Sequence, residues 1–310
     1  MNRKTKAGII GVAGYIAPRH LYAMKKNNIE LTVSNDISDS VGIIDRYFPN
    51  AYFTCNYRDF INKIYNNIDY LTICTPNFLH KKHVIDGLRS NSNIICEKPT
   101  VLQIKDLDII QKEEQKHSKK VYSIMQLRYH PEIIKLKKYL NRNHTKIFDI
   151  ELTYVSGRGN WFKHSWKGNF IQSGGIVTNI GIHLFDILIH LFGKVINSKV
   201  HILKDDTASG FLQLAKGNVK WFLSTNFNNL PTKKKSLNVY RNIKVNNNLF
   251  KFSSGFDNLH NISYKKIIES KGFTTENVRD SILLTSNINY SKISSLRDDF
   301  HRLTYKYREK

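Results

Sequence analysis

The chain has 310 residues, 41% of them apolar, which is enough for two domains with a core each and ordinary for a water-soluble protein. Three cysteines, Cys55, Cys74 and Cys96, are too few for a disulfide framework. No apolar run approaches a membrane span and no signal-peptide pattern opens the chain, so a cytoplasmic protein is expected. The formal net charge of +23 invites a nucleic-acid reading, but the lysines are spread along the chain and asparagine and isoleucine are abundant too. No zinc-finger, helix-turn-helix or glycine-aromatic signature accompanies the charge. The densest run, Lys233-Lys234-Lys235, reads as a solvated loop, and neither a nucleic acid nor a membrane is expected as a partner.

In chain order, Lys6 to Gly11 reads as a strand followed by a tight turn, and Ala17 to Asn27 as a helix. Leu31 to Asp36 is a second strand, Val41 to Tyr47 a helix stopped by Pro49, Ala51 to Phe53 a short strand, and Tyr57 to Asn66 a helix. Ile68 to Thr75 is a strand closed by Pro76, His80 to Ser90 a helix, and Asn93 to Cys96 a strand closed by Glu97-Lys98-Pro99. Val101 to His117 is a long helix and Lys120 to Met125 a sixth strand. This alternation predicts an α/β fold that opens with a doubly wound parallel sheet over residues 1–125.

The pattern changes in residues 126–310. Glu132 to Asn141 is a helix, Ile147 to Ser156 a long strand, and Ile180 to Phe192 an amphipathic helix. Strand-like runs follow at Lys194 to Leu203, Ala208 to Leu214, Val219 to Thr225, Ser236 to Arg241 and Lys244 to Phe252. They predict a mostly antiparallel sheet. Tyr264 to Lys271 and Val278 to Ser294 read as helices, and the last dozen residues as a mobile tail or a peripheral helix.

Gly11 and Gly14 stand between the first strand and the first helix, where they permit a tight turn and close approach to a pyrophosphate at the helix N-terminus. The spacing is G-x-x-G-x-x-A, so the turn alone is a weak signal. Asp36 ends the second strand, where an acid binds the ribose hydroxyls of an adenosine and repels a 2′-phosphate, favouring NAD over NADP. The plainer reading is a pair of turn glycines and an Asx-turn aspartate. Thr75-Pro76-Asn77 leaves the carboxyl end of the fourth strand, where Asn77 and His80 face a bound cofactor or His80 simply caps a helix.

Alcohol oxidation needs a base for the hydroxyl proton and gains from a cation beside the developing alkoxide. His183 suits the first role and Lys98 the second, with Lys98 turned inward by a tight or cis Lys-Pro turn. Asn179 and His183 are four apart, which puts them on one helix face, with Asp186 a further neighbour. The alternatives are a solvated lysine and an interface histidine. Arg158 to Gly168, with Asn160, Trp161, Trp166 and Lys167, offers cations for a diphosphate or carboxylate and rings for stacking, or else a packed aromatic loop. His20, His130, His164 and His190 have no ligand spacing, and no metal is expected.

At Glu97-Lys98-Pro99 and at Gly174-Gly175 through Asn179, Gly181, His183 and Asp186, the chain resembles the glucose-fructose oxidoreductase, inositol dehydrogenase and MocA-like family. The resemblance implies an N-terminal Rossmann domain (1–125) and a C-terminal α/β domain (126–310) on a large open sheet. Further likeness at Gly14 to His20, Ser40 to Asp45, Ile95 to Pro99, Gln126 to Arg128, Ser156 to Trp161, Ser165 to Gly168 and Thr178 to Gly181 is closest to one bacterial subgroup. Its members oxidise the 3′-hydroxyl of UDP-N-acetylglucosaminuronic acid with NAD, and a PLP aminotransferase then takes the product toward surface polysaccharide.

The resemblance implies Lys98 and His183 as catalytic residues, and Asn179, Arg158, Asn160, Trp161 and Lys167 as substrate contacts. Cofactor contacts are implied for Gly11, Ala13, Gly14, Tyr15, Ile16, Asp36, Thr75, Asn77, His80, Glu97, Lys98, Gln126 and Trp166. Asn179 replaces the aspartate usual in the broad family, which weakens a relay through an acid there. Some members recycle NADH with 2-oxoglutarate, and a homotetramer is implied. Other readings are a different sugar or cyclitol dehydrogenase, a silent NAD-binding protein, or a nucleic-acid binder that uses the positive charge.

Overall fold

The computed structural model describes residues 3–143, 147–230 and 238–307. Lys233-Lys234-Lys235 and the start of the strand expected at Ser236 lie outside the described residues. The chain divides into two compact units, one of residues 1–126 and 257–279, the other of residues 127–256 and 280–310. Residues 257–279 thus return to the first unit, whereas the sequence reading kept 126–310 together.

The first unit is built on six parallel strands in the order β3-β2-β1-β4-β5-β6. These are β1 (Lys6–Ile10), β2 (Glu30–Asn35), β3 (Tyr52–Thr54), β4 (Tyr70–Ile73), β5 (Asn93–Cys96) and β6 (Val121–Ser123). The helices between them are α1 (Ala17–Lys26), α2 (Tyr57–Ile64), α3 (His80–Arg89) and α4 (Ile104–His117). Ile9, Ile73, Ile94 and Ile95 are fully buried or nearly so, as expected of central strands covered on both faces. Strand order reverses between β1 and β4, which opens a crevice at their carboxyl ends.

The helix expected over Val41 to Tyr47 is instead a run of turns, with Ile44 and Tyr47 donating their N–H groups to carbonyls three residues back. Gly42 and the β-branched Val41, Ile43 and Ile44 are weak helix formers, and burial of Ile44 in the core decides the local path. α5 (Pro131–Arg142) begins the second unit, and α10 (Leu259–Ile268) belongs to the first. Tyr264 and Ile267 of α10 share a core cluster with Leu21 and Met24 of α1, and the Asn27 side chain donates to Asn261 at 2.7 Å. A helix so distant in sequence cannot be assigned to a layer from its own periodicity.

The second unit carries a mixed six-stranded sheet in the order β12-β11-β7-β10-β9-β8. Its strands are β7 (Phe148–Ser156), β8 (Val195–Leu203), β9 (Thr207–Leu214), β10 (Gly217–Ser224), β11 (Val239–Val245) and β12 (Asn248–Lys251). Only the β7–β10 pair is parallel, so the expected mostly antiparallel sheet is found. The turn between β11 and β12 falls at Asn246, one of the asparagines the sequence offers for a turn, with φ 51°, and the strand break expected between Arg241 and Lys244 is absent. Asparagine tolerates that left-handed conformation, while Asn242 and Ile243 pair in the ladder.

α6 (Asn160–His164), α7 (Phe170–Ser173), α8 (Gly175–Asn179) and α9 (Ile182–Phe192) follow β7. Phe185 of α9 meets Trp221 of β10 edge to face at 5.2 Å on one sheet face. The opposite face receives the end of the chain, where Thr153 bonds His301 at 3.0 Å and Ser209 bonds Thr304 at 2.8 Å. The described end of the chain is therefore packed, with residues Arg302–Tyr307 in a 3₁₀ helix. α11 (Thr275–Asn289) carries the return from the first unit to the second. No single helix among the described residues is long and apolar enough to cross a membrane.

Candidate active site

The carboxyl edge of the first sheet gathers the glycine turn, Asp36, Thr75, Lys98 and Gln126 after β1, β2, β4, β5 and β6. Gly11 holds φ +86°, and a Cβ there would lie 2.7 Å from both the Cys74 carbonyl carbon and the Thr75 nitrogen. Only a residue without a side chain lets the β1 and β4 loops approach so closely. Gly14 N–H closes the turn on Gly11 O at 3.1 Å, and Ile16 caps α1 without a side-chain hydrogen bond.

Asp36 makes two hydrogen bonds, one of them the Asx turn read from the sequence. Oδ1 accepts from Ser38 N–H at 3.0 Å in an Asx turn, while Oδ2 accepts from Ala13 N–H at 2.9 Å across the crevice. The carboxylate therefore sits against the glycine turn. Two apolar side chains flank it in solvent, Tyr15 at 84% and Ile37 at 97% exposure. Gln126 is buried, and its Oε1 has no hydrogen-bond partner among the described residues. A buried acceptor of that kind calls for a donor, which a carboxamide supplies. The close approach at Gly11, the carboxylate of Asp36 and the orphaned acceptor of Gln126 fit a dinucleotide that carries a carboxamide.

Other expected contacts hold different positions. Thr75 Oγ1 bonds His83 Nδ1 at 2.9 Å, and burial first, then the neighbouring Lys82, pushes His83 down to about 4. Asn77 is buried in the short 3₁₀ turn that precedes α3. His80 is also buried, with Nδ1 2.7 Å from Pro99 O and Nε2 2.8 Å from Thr75 O. His80 thus sits between the β4 and β5 loops, and its ring N–H donates to one of the two carbonyls. Its place is in the frame of the site, and this is the physical content of its position at a helix start.

Glu97 is only 6% exposed. Its Oε1 lies 2.9 Å from His20 Nε2 and 3.1 Å from His260 Nε2, and its Oε2 accepts from Lys98 N–H at 3.2 Å. Burial pushes this carboxyl up, but the hydrogen bonds from His20 and His260 win and hold it well below the usual carboxylate range. Lys98 is half-buried and precedes Pro99 through a cis peptide bond. The roles of His20, His260 and Tyr264 are invisible in the sequence. The one available signal was Glu97 itself, since a carboxylate inside a core demands partners.

In the second unit the Asn179–His183 geometry differs from the sequence reading. Asn179 ends α8 and His183 lies in the first turn of α9, so the two do not share one continuous helix face. The break is at Gly181, where a Cβ would meet Val177 O, Leu223 Cδ1 at 2.7 Å and Phe185 Cε2 at 2.8 Å. The segments on either side are bent by 41°. Asp186 is buried and paired with a cation. Arg128 takes both oxygens, at 2.8 and 2.6 Å, although burial still raises the Asp186 carboxyl.

The aromatic segment is built as a cation–ring cluster. Lys167 Nζ lies 4.9 Å from the Trp166 ring centre and 5.7 Å from that of Trp161. Burial, then the Arg158 charge, lowers the Lys167 amine. The Arg158 N–H is anchored to Thr225 O at 2.9 Å, and Asn160 opens α6 in an exposed position. A lysine over two indoles, with the Arg158 charge acting on it, suits a ligand that is both anionic and planar in part.

Comparison with known proteins gives a consistent result. Residues 5–125 match the family described as oxidoreductase family, NAD-binding Rossmann fold, and residues 145–240 match oxidoreductase family, C-terminal alpha/beta domain. The WlbA (WbpB) dehydrogenase from Thermus thermophilus in complex with NAD and UDP-GlcNAcA superimposes with a TM-score of 0.93 and 34% identity, over 96% of this chain and 99% of that one. The same dehydrogenase in complex with NAD and alpha-ketoglutarate gives 0.93 and 35% over the same shares. Glucose-6-phosphate 3-dehydrogenase of Bacillus subtilis is 27% identical over 198 residues, which is 60% of this chain and 53% of that protein. The chain spans about half the length of the curated relatives it matches.

Proposed function

The chain belongs to the oxidoreductase family of glucose-fructose oxidoreductases, inositol dehydrogenases and MocA-like proteins, and from that membership we propose that it oxidises the 3′-hydroxyl of UDP-N-acetylglucosaminuronic acid. The observation that carries this reading is the 34% identity along nearly the whole length of a dehydrogenase solved with NAD and that sugar. Bound NAD supplies the hydride acceptor.

Lys98 holds the sugar hydroxyl by a charge-assisted hydrogen bond and stabilises alkoxide character on its oxygen. His183 takes the hydroxyl proton, a task for which imidazole basicity is suited near neutrality. Asn179 hydrogen-bonds the sugar. Arg158 and Lys167 pair with its anionic groups, and Trp161 offers a ring face. Asp36, beside the glycine turn, receives the adenosine ribose. A homotetramer, a downstream PLP aminotransferase and NADH recycling by 2-oxoglutarate belong to the same proposal, the last supported by the complex with alpha-ketoglutarate.

The test is to mix the purified protein with NAD and UDP-N-acetylglucosaminuronic acid, with and without 2-oxoglutarate, and to follow reduced nicotinamide and the keto-sugar product. A rise in reduced nicotinamide without 2-oxoglutarate, lost in Lys98→Ala and His183→Ala, supports a dehydrogenase that releases NADH. Product only with 2-oxoglutarate indicates recycling. No keto sugar in either mixture, from folded protein that binds NAD, overturns this substrate. A parallel assay with glucose 6-phosphate tests the second reading, which rests on the B. subtilis relative.

A further inference from the structure

Glu97 lies one residue before the lysine assigned to the reaction, yet its side chain turns into the protein. Its Oε1 sits between two imidazoles from different helices. His20 comes from α1, which starts directly after the glycine turn, and His260 comes from α10, which returns to this unit late in the chain. The two rings pack edge to face at 4.9 Å. Its Oε2 takes the Lys98 backbone N–H. One carboxylate therefore ties the Lys98 loop to α1 and α10.

One assignment of hydrogen-bond directions satisfies every member of the network. Tyr264 OH lies 2.9 Å from both His20 Nδ1 and Thr72 Oγ1. With Thr72 donating to Tyr264 and Tyr264 donating to His20 Nδ1, the proton of His20 stays on Nε2 and points at Glu97. A neutral His20 agrees with burial lowering its basicity more than Glu97 raises it. Glu97 then accepts from His20, from His260 and from the Lys98 backbone, which is the surrounding a buried carboxylate needs to remain charged.

We propose that Glu97, gripped from two helices by His20 and His260, is a positioning residue that sets Lys98 for the reaction. The proposal rests on the catalytic role given to Lys98 above. Glu97 touches no reacting atom in it; its effect passes through the lysine. Glutamine in its place keeps the shape but puts an N–H₂ donor where an acceptor is required, so at least one of the three donors loses its partner.

The test uses the full chain with NAD bound. Glu97→Gln is expected to lower kcat about 10- to 100-fold at saturating NAD, the scale of a reacting group displaced by about 1 Å. In a Lys98→Ala background, Glu97→Gln is expected to add nothing, because the group it positions is gone. Multiplying losses in the double variant would show general damage and overturn the proposal. His260→Gln, which keeps a donor near Nε2, is expected to retain activity that His260→Leu loses; equal losses in the two would also overturn it.

A second readout needs no sugar. The acetylation rate of Lys98 by acetic anhydride, followed by peptide mass spectrometry with surface lysines as internal reference, is expected to change at least threefold in Glu97→Gln. An unchanged rate in folded, NAD-binding protein overturns the positioning role whatever sugar the enzyme takes. Failure of the sugar assay with a changed rate would instead sink only the substrate reading. The three side chains could also hold a metal, their ligand atoms lying within 4.8 Å of one another. One metal ion per chain by elemental analysis, lost in Glu97→Gln, would replace the hydrogen-bonded network and overturn the proposal.

Discussion

Gly11→Ala tests the crossing of the β1 and β4 loops, on which the cofactor crevice depends. The backbone at Gly11 has φ +86°, a conformation that costs a residue with a Cβ about 1–2 kcal/mol. The new Cβ would also stand 2.7 Å from Cys74 C and Thr75 N and 2.9 Å from Cys74 O. All three are backbone atoms and cannot swing away as a flexible side chain would. Overpacking of that kind adds about 1–3 kcal/mol. The expected loss of stability is therefore about 2–5 kcal/mol by urea denaturation. NAD affinity, measured by calorimetry at a temperature where the variant stays folded, is expected to fall more than about tenfold, because the Thr75 loop must move. Gly14→Ala supplies the internal control. Its Cβ would lie 3.0 Å from Gly11 O and 3.4 Å from Cys74 O, with no left-handed backbone to strain, so a loss below about 1.5 kcal/mol is expected. A Gly11→Ala protein within about 0.5 kcal/mol of wild type, or no worse than Gly14→Ala, would refute the close-approach argument.

Asp36→Asn removes the charge beside the glycine turn and turns part of the acceptor pair into a donor facing Ala13 N–H. NAD affinity by calorimetry is expected to fall about tenfold, the scale of one charged hydrogen bond, while NADP affinity falls less or rises. Phe185→Ala leaves Trp221 without its edge-to-face partner in the core of the second unit, and a loss of about 3–5 kcal/mol in urea denaturation is expected. His301 supplies a pH dependence. Burial first, then Arg302 and Lys220, pushes it from 6.5 down to about 3. The folded state therefore binds this proton less readily than the unfolded state. The stability it contributes is complete above pH 6.5 and is lost as pH falls from 6.5 toward about 3. The denaturation free energy of His301→Gln is expected to vary less over that window than that of wild type.

The first sheet was legible because each of its parts writes a local signal. Ile94-Ile95-Cys96 is a buried strand bounded by turn residues, and Glu97-Lys98-Pro99 must leave its carboxyl end. Val41 to Tyr47 misled because an apolar spacing compatible with a helix also suits a string of turns pinned by one buried isoleucine. Asn179 and His183 misled for a related reason. Four-residue spacing implies one face only if the helix continues, and the helix breaks at Gly181. The lesson is that a glycine between two expected helical contacts is evidence about the backbone before it is evidence about a ligand.

Glu97 marks the other limit of sequence reading. Its partners stand 77 residues before it and 163 after it, and neither histidine has a neighbour that announces the pairing. Yet the need for partners is deducible. A glutamate following an apolar strand either turns to water or, if buried, must find donors. The fold resolves this by bringing α10 back onto α1, so that His260 and Tyr264 arrive with the same helix that completes the core. Packing and polar satisfaction are then one event. Tyr264 buries its ring against the core while its hydroxyl joins Thr72 and His20. A division of the chain at residue 126 alone would sever the first sheet from the histidine that holds Glu97. Residues 1–126 expressed without α10 would keep the Rossmann strands but leave that carboxylate short of a donor.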